Sequence, residues 1–127
     1  MEYPKELKYV KSHEWIKEEG DLVVVGISDY AQDALGDIVF VNLPEEGDDV
    51  SIGDAFADVE SVKAVSDIFS PVDGTVAAVN EELIDNPALI NETPYDAWLI
   101  KVENVSEKEE TMDADAYEKF VEEEAEA

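Results

Sequence analysis

Apolar residues in this chain gather in short runs, each closed by a Gly, Pro or acidic turn. Residues 14–17 and 22–27 predict a hairpin turning around Glu18-Glu19-Gly20-Asp21. Ser28 then caps a short helix over 29–35, with acids in its first turn and Gly36 just past its end. Residues 37–43 predict a strand rich in Ile, Val and Phe, closed by Pro44 and the turn Glu45-Glu46-Gly47-Asp48. A turn at Ile52-Gly53-Asp54 leads into a strand over 55–60. Beyond Lys63 the chain runs out through 67–70, turns at Pro71-Val72-Asp73-Gly74 and continues as a strand over 75–79. Residues 80–91 read as a helical turn and loop punctuated by Pro87, and 97–103 as a further strand. Asp113 can cap a helix near 114–123, with Tyr117, Phe120 and Val121 on one face. His13 and Trp15 read as strand packing, and Gly36, Gly47, Gly53 and Gly74 as turn formers. The pattern predicts one mainly β domain over residues 1–121, a sandwich or barrel with helices attached, and a solvated acidic tail over 122–127.

An internal echo sharpens the fold. Gly36-Asp37-Ile38-Val39-Phe40-Val41-Asn42 recurs as Gly74-Thr75-Val76-Ala77-Ala78-Val79-Asn80, and each copy passes through an acidic turn region to a strand ending Val-Glu, at Val59-Glu60 and Val102-Glu103. The repetition implies two antiparallel sheets in similar halves related by a pseudo-two-fold axis, with Lys63 on an exposed turn between them.

Composition removes several function classes. There is no cysteine, hence no disulfide, thiol nucleophile or thiolate metal site, and the single histidine, His13, leaves no basis for a zinc centre. All eight basic residues are lysines, and with a net charge of -26 neither nucleic acid nor an anionic membrane is a partner. Lys63 is the only basic residue between Lys17 and Lys101, a stretch that carries twenty Asp and Glu. A lone amine at a predicted hairpin tip in so acidic a segment points to a modified lysine.

The residues around it carry a resemblance. The segment Glu60-Ser61-Val62-Lys63-Ala64-Val65-Ser66-Asp67-Ile68-Phe69-Ser70-Pro71-Val72-Asp73-Gly74 resembles the lipoyl-attachment region of the glycine cleavage H-protein family nearly residue for residue. Ser12-His13-Glu14-Trp15, Gly26-Ile27-Ser28-Asp29-Tyr30-Ala31-Gln32 and Leu35-Gly36-Asp37-Ile38-Val39 agree in the same order. Asn91, Pro94-Tyr95 and Trp98 are similar to a later block, although the segment before Trp98 is one residue short and lacks a glycine.

The resemblance implies a lipoyl/biotinyl-type barrel-sandwich hybrid and a carrier with no catalytic residues of its own. It implies lipoate held covalently as an amide on Lys63, with Glu60, Ser61, Val62 and Ala64 recognised around it. It further implies that the arm visits a pyridoxal-phosphate glycine decarboxylase (P protein), a tetrahydrofolate-dependent aminomethyltransferase (T protein) and a flavin-dependent dihydrolipoamide dehydrogenase (L protein), after a lipoate-attaching enzyme has acted. By the same resemblance Ser12, Glu14 and Asp67 line a cleft that shelters the loaded arm, and Ala34 stands where some relatives carry histidine. A small carrier of this kind works as a monomer.

Competing readings are weaker. A biotin carrier would place methionines beside the lysine, where this chain has Val62 and Ala64. A lipoyl domain of a 2-oxo-acid dehydrogenase would bring Pro- and Ala-rich linkers, and none is present. A hydrolase using Asp58 and Glu60 needs an apolar pocket that the sequence does not mark. A lipoyl relay that donates its lipoate to other complexes would differ by partners, not by sequence.

The charge also bears on solvent. With 45% hydrophobic residues the chain is too apolar for a disordered acidic segment. No apolar run reaches the roughly 20 residues of a bilayer span, and the N-terminus lacks a signal pattern, so the expected location is the cytoplasm. Acids spread through every element match adaptation to high intracellular salt, as in a halophile, because at molar salt the Debye length falls to about 3 Å and self-repulsion is screened. The melting temperature is therefore expected to rise between dilute buffer and molar KCl. Identical melts under the two conditions would remove the salt-adaptation reading.

Overall fold

The computed structural model describes residues 1–126, and Ala127, the last residue of the expected tail, lies outside them. Nine strands, β1 (Lys8–Tyr9), β2 (Glu14–Glu19), β3 (Leu22–Ile27), β4 (Ile38–Asn42), β5 (Asp49–Val50), β6 (Ala55–Ser61), β7 (Val65–Phe69), β8 (Val72–Val79) and β9 (Ile100–Lys108), form two antiparallel sheets. One has the order β1-β2-β3-β9-β8-β5 and the other β4-β6-β7. Four helices complete the described residues: α1 (Asp29–Leu35), α2 (Glu82–Asp85), α3 (Leu89–Glu92) and α4 (Ala114–Glu126).

The continuous apolar run in β3 follows from its position. Val23, Val25 and Ile27 face the space between the sheets, while Val24 packs with Leu7, Tyr9, Trp15 and Tyr117 beneath α4. A strand covered on both faces has no polar side to alternate with. Trp15 sits opposite Gly26 across the β2–β3 pair, and its indole lies where a Cβ at Gly26 would be, 2.5 Å away. Trp15 is thus packing, as expected. His13 is not in a strand: it precedes β2 with φ +77°.

Most expected elements stand. Ser28 caps α1, its hydroxyl accepting from the Ala31 amide at 3.2 Å, and Gly36 ends the helix with φ +84°. Asp113 caps the first turn of α4 through the Ala116 amide at 2.8 Å. In the echoed segments β4 pairs with β6 and β8 with β9, the same antiparallel arrangement in each sheet. The two-residue strands β1 and β5 are too short to show a period.

Three expectations need correction. Residues 71–74 are not a turn, since β8 already starts at Val72. Gly74 accordingly is no turn former: it lies opposite Val50, and a Cβ there would meet the Glu103 carbonyl oxygen at 2.7 Å and Val102 Cγ1 at 2.5 Å. The last strand runs over Ile100–Lys108 rather than 97–103, because β9 pairs with β3 on one side and follows β8 out to Val72 opposite Lys108 on the other. Helix α4 continues through residues 122–126 of the expected tail, where Glu122 to Glu124 are exposed but Glu124 is drawn onto His13.

Opposite charges offset little of the acidity. Among the described residues Lys101 pairs with Glu19 at 2.9 Å and Lys108 with Glu18, both on the surface. Because backbone crowds Gly74, Gly74→Ala is expected to cost about 2–3 kcal/mol in urea unfolding. Gly20→Ala meets no atom within 4 Å but keeps a φ of +63°, so its cost is expected to be smaller, about 1 kcal/mol.

Candidate functional site

The β6–β7 hairpin closes with Glu60 opposite Val65, leaving Val62, Lys63 and Ala64 as its loop. The Ser61 hydroxyl accepts from the Lys63 and Ala64 amides, each at 3.1 Å, and the Ser61 amide donates to the Ala64 carbonyl at 2.8 Å. The Val62 amide donates to the Asp37 carbonyl at 3.0 Å, tying the tip to the start of β4. All three loop amides are therefore engaged, and the backbone is held while the Lys63 side chain is exposed. Glu60, Val62 and Ala64 are exposed around it, whereas Ser61 is half-buried and works inward. Lys63 makes no salt bridge among the described residues.

The ground under the lysine is built from three elements. A Cβ at Gly36 would lie 3.2 Å from Lys63 Cε and 3.6 Å from its Nζ, so the bare glycine leaves a face for the lysine stem. Asn91 of α3 donates to Gln32 Oε1 and to the Gly36 carbonyl, each at 2.9 Å, and accepts from the Ile38 amide at 2.8 Å. That amide group locks the end of α1 to the beginning of β4.

Beside the hairpin a cleft of about 160 Å³ brings together Ser12, Glu14 and Asp67, residues far apart in the chain. Glu14, Ile27 and Ile68 are buried and form its floor, and Ser12 and Asp67 are exposed at its rim. Asp67 follows Lys63 by four residues on the same hairpin, roughly 13 Å along an extended strand. Glu14 is only 2% exposed, and the Ser12 hydroxyl donates to its Oε1. Burial pushes the Glu14 carboxyl up to about 8, against the opposing pull of hydrogen bonds from Ser12 and the Phe69 amide. A wider hollow of about 350 Å³, lined by Asp48, Asp49 and Asp54, lies at the other end of β6, away from the lysine.

His13 also lines the cleft, a place its expected packing role did not foresee. Its Nδ1 is 2.7 Å from the Tyr117 hydroxyl and its Nε2 2.8 Å from Glu124, both on α4, and Tyr117 reaches Ser28 Oγ at 2.7 Å. Burial lowers the His13 pKa, while Glu124 opposes that shift. The remaining wall comes from Tyr30, Ala31, Ala34 and Leu35 of α1. Their i, i+4 spacing marks one helix face, a signal legible in the sequence but without a partner to assign it to. Ala34 offers only a methyl group to the cleft. Asn91 gave no chemical signal of its own, because its role exists only once α1, α3 and β4 meet.

Two antiparallel sheets thus present an exposed lysine on a hydrogen-bonded hairpin beside a cleft of about 160 Å³. The family model described as Glycine cleavage H-protein matches residues 7–124. The glycine cleavage system H protein of Lachnoclostridium phytofermentans is 52% identical over 127 residues, covering 99% of this chain and 100% of that one. That of Carboxydothermus hydrogenoformans is 54% identical over 126 residues, covering 97% of each. The crystal structure of a glycine cleavage system H protein from Mycobacterium marinum superposes with a TM-score of 0.84 at 42% identity, covering 90% of this chain and 94% of that one. This chain belongs to the glycine cleavage H-protein family.

The buried carboxyl of Glu14 yields a pH dependence. Its folded pKa of about 8 lies above its ordinary value of 4.5, so the neutral form favours the fold. Stability from this group is full below the ordinary value and is lost as pH rises through about 8, with a limiting slope of about 1.4 kcal/mol per pH unit. Glu14→Gln is expected to raise the melting temperature at pH 8 and leave it near wild type at pH 4.5. Parallel melts of the two proteins across this range check the sign.

Proposed function

We propose that this chain is the lipoyl carrier of the glycine cleavage system, with Lys63 as its attachment point. On this reading it moves the aminomethyl unit of glycine from the pyridoxal-phosphate decarboxylase to the tetrahydrofolate-dependent aminomethyltransferase, and dihydrolipoamide dehydrogenase reoxidises the arm. The observation that carries the proposal is the conjunction of an exposed amine, unpaired among the described residues, on a hairpin whose loop amides are all hydrogen-bonded, with a mainly apolar cleft beside the same hairpin into which Ser12, Glu14 and Asp67 are set. The residues fit an amide-linked arm: the Lys63 amine is open to an acyl donor, and the bare face of Gly36 leaves room for its stem. When bound, the lipoyl group supplies a sulfur pair that takes up a one-carbon unit and electrons.

The chain's own residues supply the shelter. Ser12 and Asp67 offer oxygen acceptors at the rim, and Glu14 waits as a neutral acid on the floor. A cationic amine entering the cleft favours the ionised form of Glu14, whose proton passes to solvent, because an adjacent positive charge offsets the cost of burying the anion. Ile27 and Ile68 keep water from the floor. The chain is a non-catalytic subunit in this scheme, acting as a monomer. Its acidic surface and weak pairing support work in a high-salt cytoplasm, and no helix of the described residues is long and apolar enough to cross a membrane.

Peptide mass spectrometry of the protein from its native host tests the proposal. One lipoyl group is expected on the Lys63 peptide and none in Lys63→Arg. A bare Lys63 in cells that lipoylate other proteins would sink it.

A further inference from the structure

Five of the seven large apolar side chains left exposed among the described residues belong to the three-stranded sheet and its hairpin: Val39, Phe40, Val62, Val65 and Phe69. Scattered singly, exposed apolar residues mean nothing, but a contiguous group does. Phe40 is paired with Glu60, and Glu60 with Val65, so Phe40 and Val65 stand on one outward row across the sheet. Phe40 is 51% and Val65 64% exposed, and Val62 caps the loop at 66%. The β4–β6 register breaks between Ile38 and Phe40, and the irregularity leaves Val39 and Phe40 both outside where strict alternation would have hidden one. Glu60 of the central strand stands inside this row, between Phe40 and Val65, and the exposed acids Asp37 and Asp67 lie on the flanking segments.

We propose that this row is the docking surface for the enzyme that acylates Lys63, an inference that rests on the lipoyl-carrier reading. The position of the amine selects the occupant. Lys63 Nζ lies 3.6 Å from where a Cβ of Gly36 would stand, two residues before β4. In acylation the lysine ammonium gives up two protons and its nitrogen forms an amide with the carbonyl carbon of an activated acyl donor, a mixed phosphoric anhydride or a thioester. The bond from that carbon to the leaving group breaks, and the leaving group keeps the electron pair. The donor must therefore come within bonding distance of Nζ, and the enzyme that holds it closes over the tip and β4 together. Enzymes acting at the far end of an arm are kept at that arm's length. The occupant is a protein surface with apolar contacts for Phe40 and Val65 and a basic group opposite Glu60 between them. Release of the finished carrier requires this contact to be transient.

The test uses the unmodified full chain with lipoate, ATP and a purified lipoate ligase, following initial rates at Lys63 by mass spectrometry over a range of carrier concentrations. Phe40→Ser is expected to raise KM for the carrier roughly tenfold, as loss of an aromatic anchor does, with kcat within about twofold. Val65→Thr keeps a β-branched strand former, is expected to raise KM in the same sense, and decides the matter should Phe40→Ser fail to fold. Folded variants with wild-type KM overturn the docking surface. No acylation of wild-type Lys63 removes instead the carrier reading beneath it. A concentration-dependent dimer dispersed by Phe40→Ser, with KM unchanged, assigns the row to a second copy of the chain and overturns the proposal.

Discussion

The three hydrogen bonds of the Asn91 side chain set the geometry of the functional end of this molecule. They fix the last turn of α1 and the first residue of β4 to the same amide, and thereby fix Gly36 and Asp37 between them. Asp37 then supplies the carbonyl that anchors the hairpin tip, and Gly36 supplies the open face on which the lysine stem lies. The hairpin adds its own closure through the Ser61 hydroxyl. On the proposed reading of Lys63 as the attachment point, this rigidity leaves the freedom to the arm and not to the backbone.

The cleft depends on a different balance. The chain has 34 acidic residues, and among the described residues Glu14 is the one buried in hydrophobic surroundings. Burying it costs free energy, which the Ser12 hydroxyl and the Phe69 amide only partly offset, so the carboxyl stays protonated well above its ordinary range. The start of the strand that carries it is held by the preceding residue, His13, whose two ring nitrogens reach α4. The C-terminal helix thus does more than cover Trp15 and Val24; it closes the back of the cleft wall.

Several features were legible in the amino-acid sequence alone. Ser28 and Gly36 bounded α1 correctly, since capping is decided by a few adjacent residues. The β2–β3 hairpin was legible too, although its turn is tighter than expected, with β2 running on through Glu18 and Glu19. The turn expected at 71–74 failed because one residue type serves two purposes. Pro71 and Gly74 signal a turn by type, but Gly74 is there because Val102 and the Glu103 carbonyl of the neighbouring strand come too close for a side chain. The extent of β9 was hidden because its exposed end, out to Lys108, is fixed by pairing with β8 and not by its own hydrophobicity.

By itself the sequence determined the elements, the lone amine of Lys63 in an acidic stretch and the family resemblance, because propensity, capping and motif spacing act over a few residues. It also named Ser12, Glu14 and Asp67, though only through that resemblance. The tertiary structure decided that these three share one cleft, that Glu14 is its buried floor, that His13 is clamped by α4, and that Phe40 and Val65 stand in one row beside the lysine. Those are consequences of register and of packing between distant segments. Burial, and with it the protonation of Glu14, exists only after the sheets and helices have closed around the site.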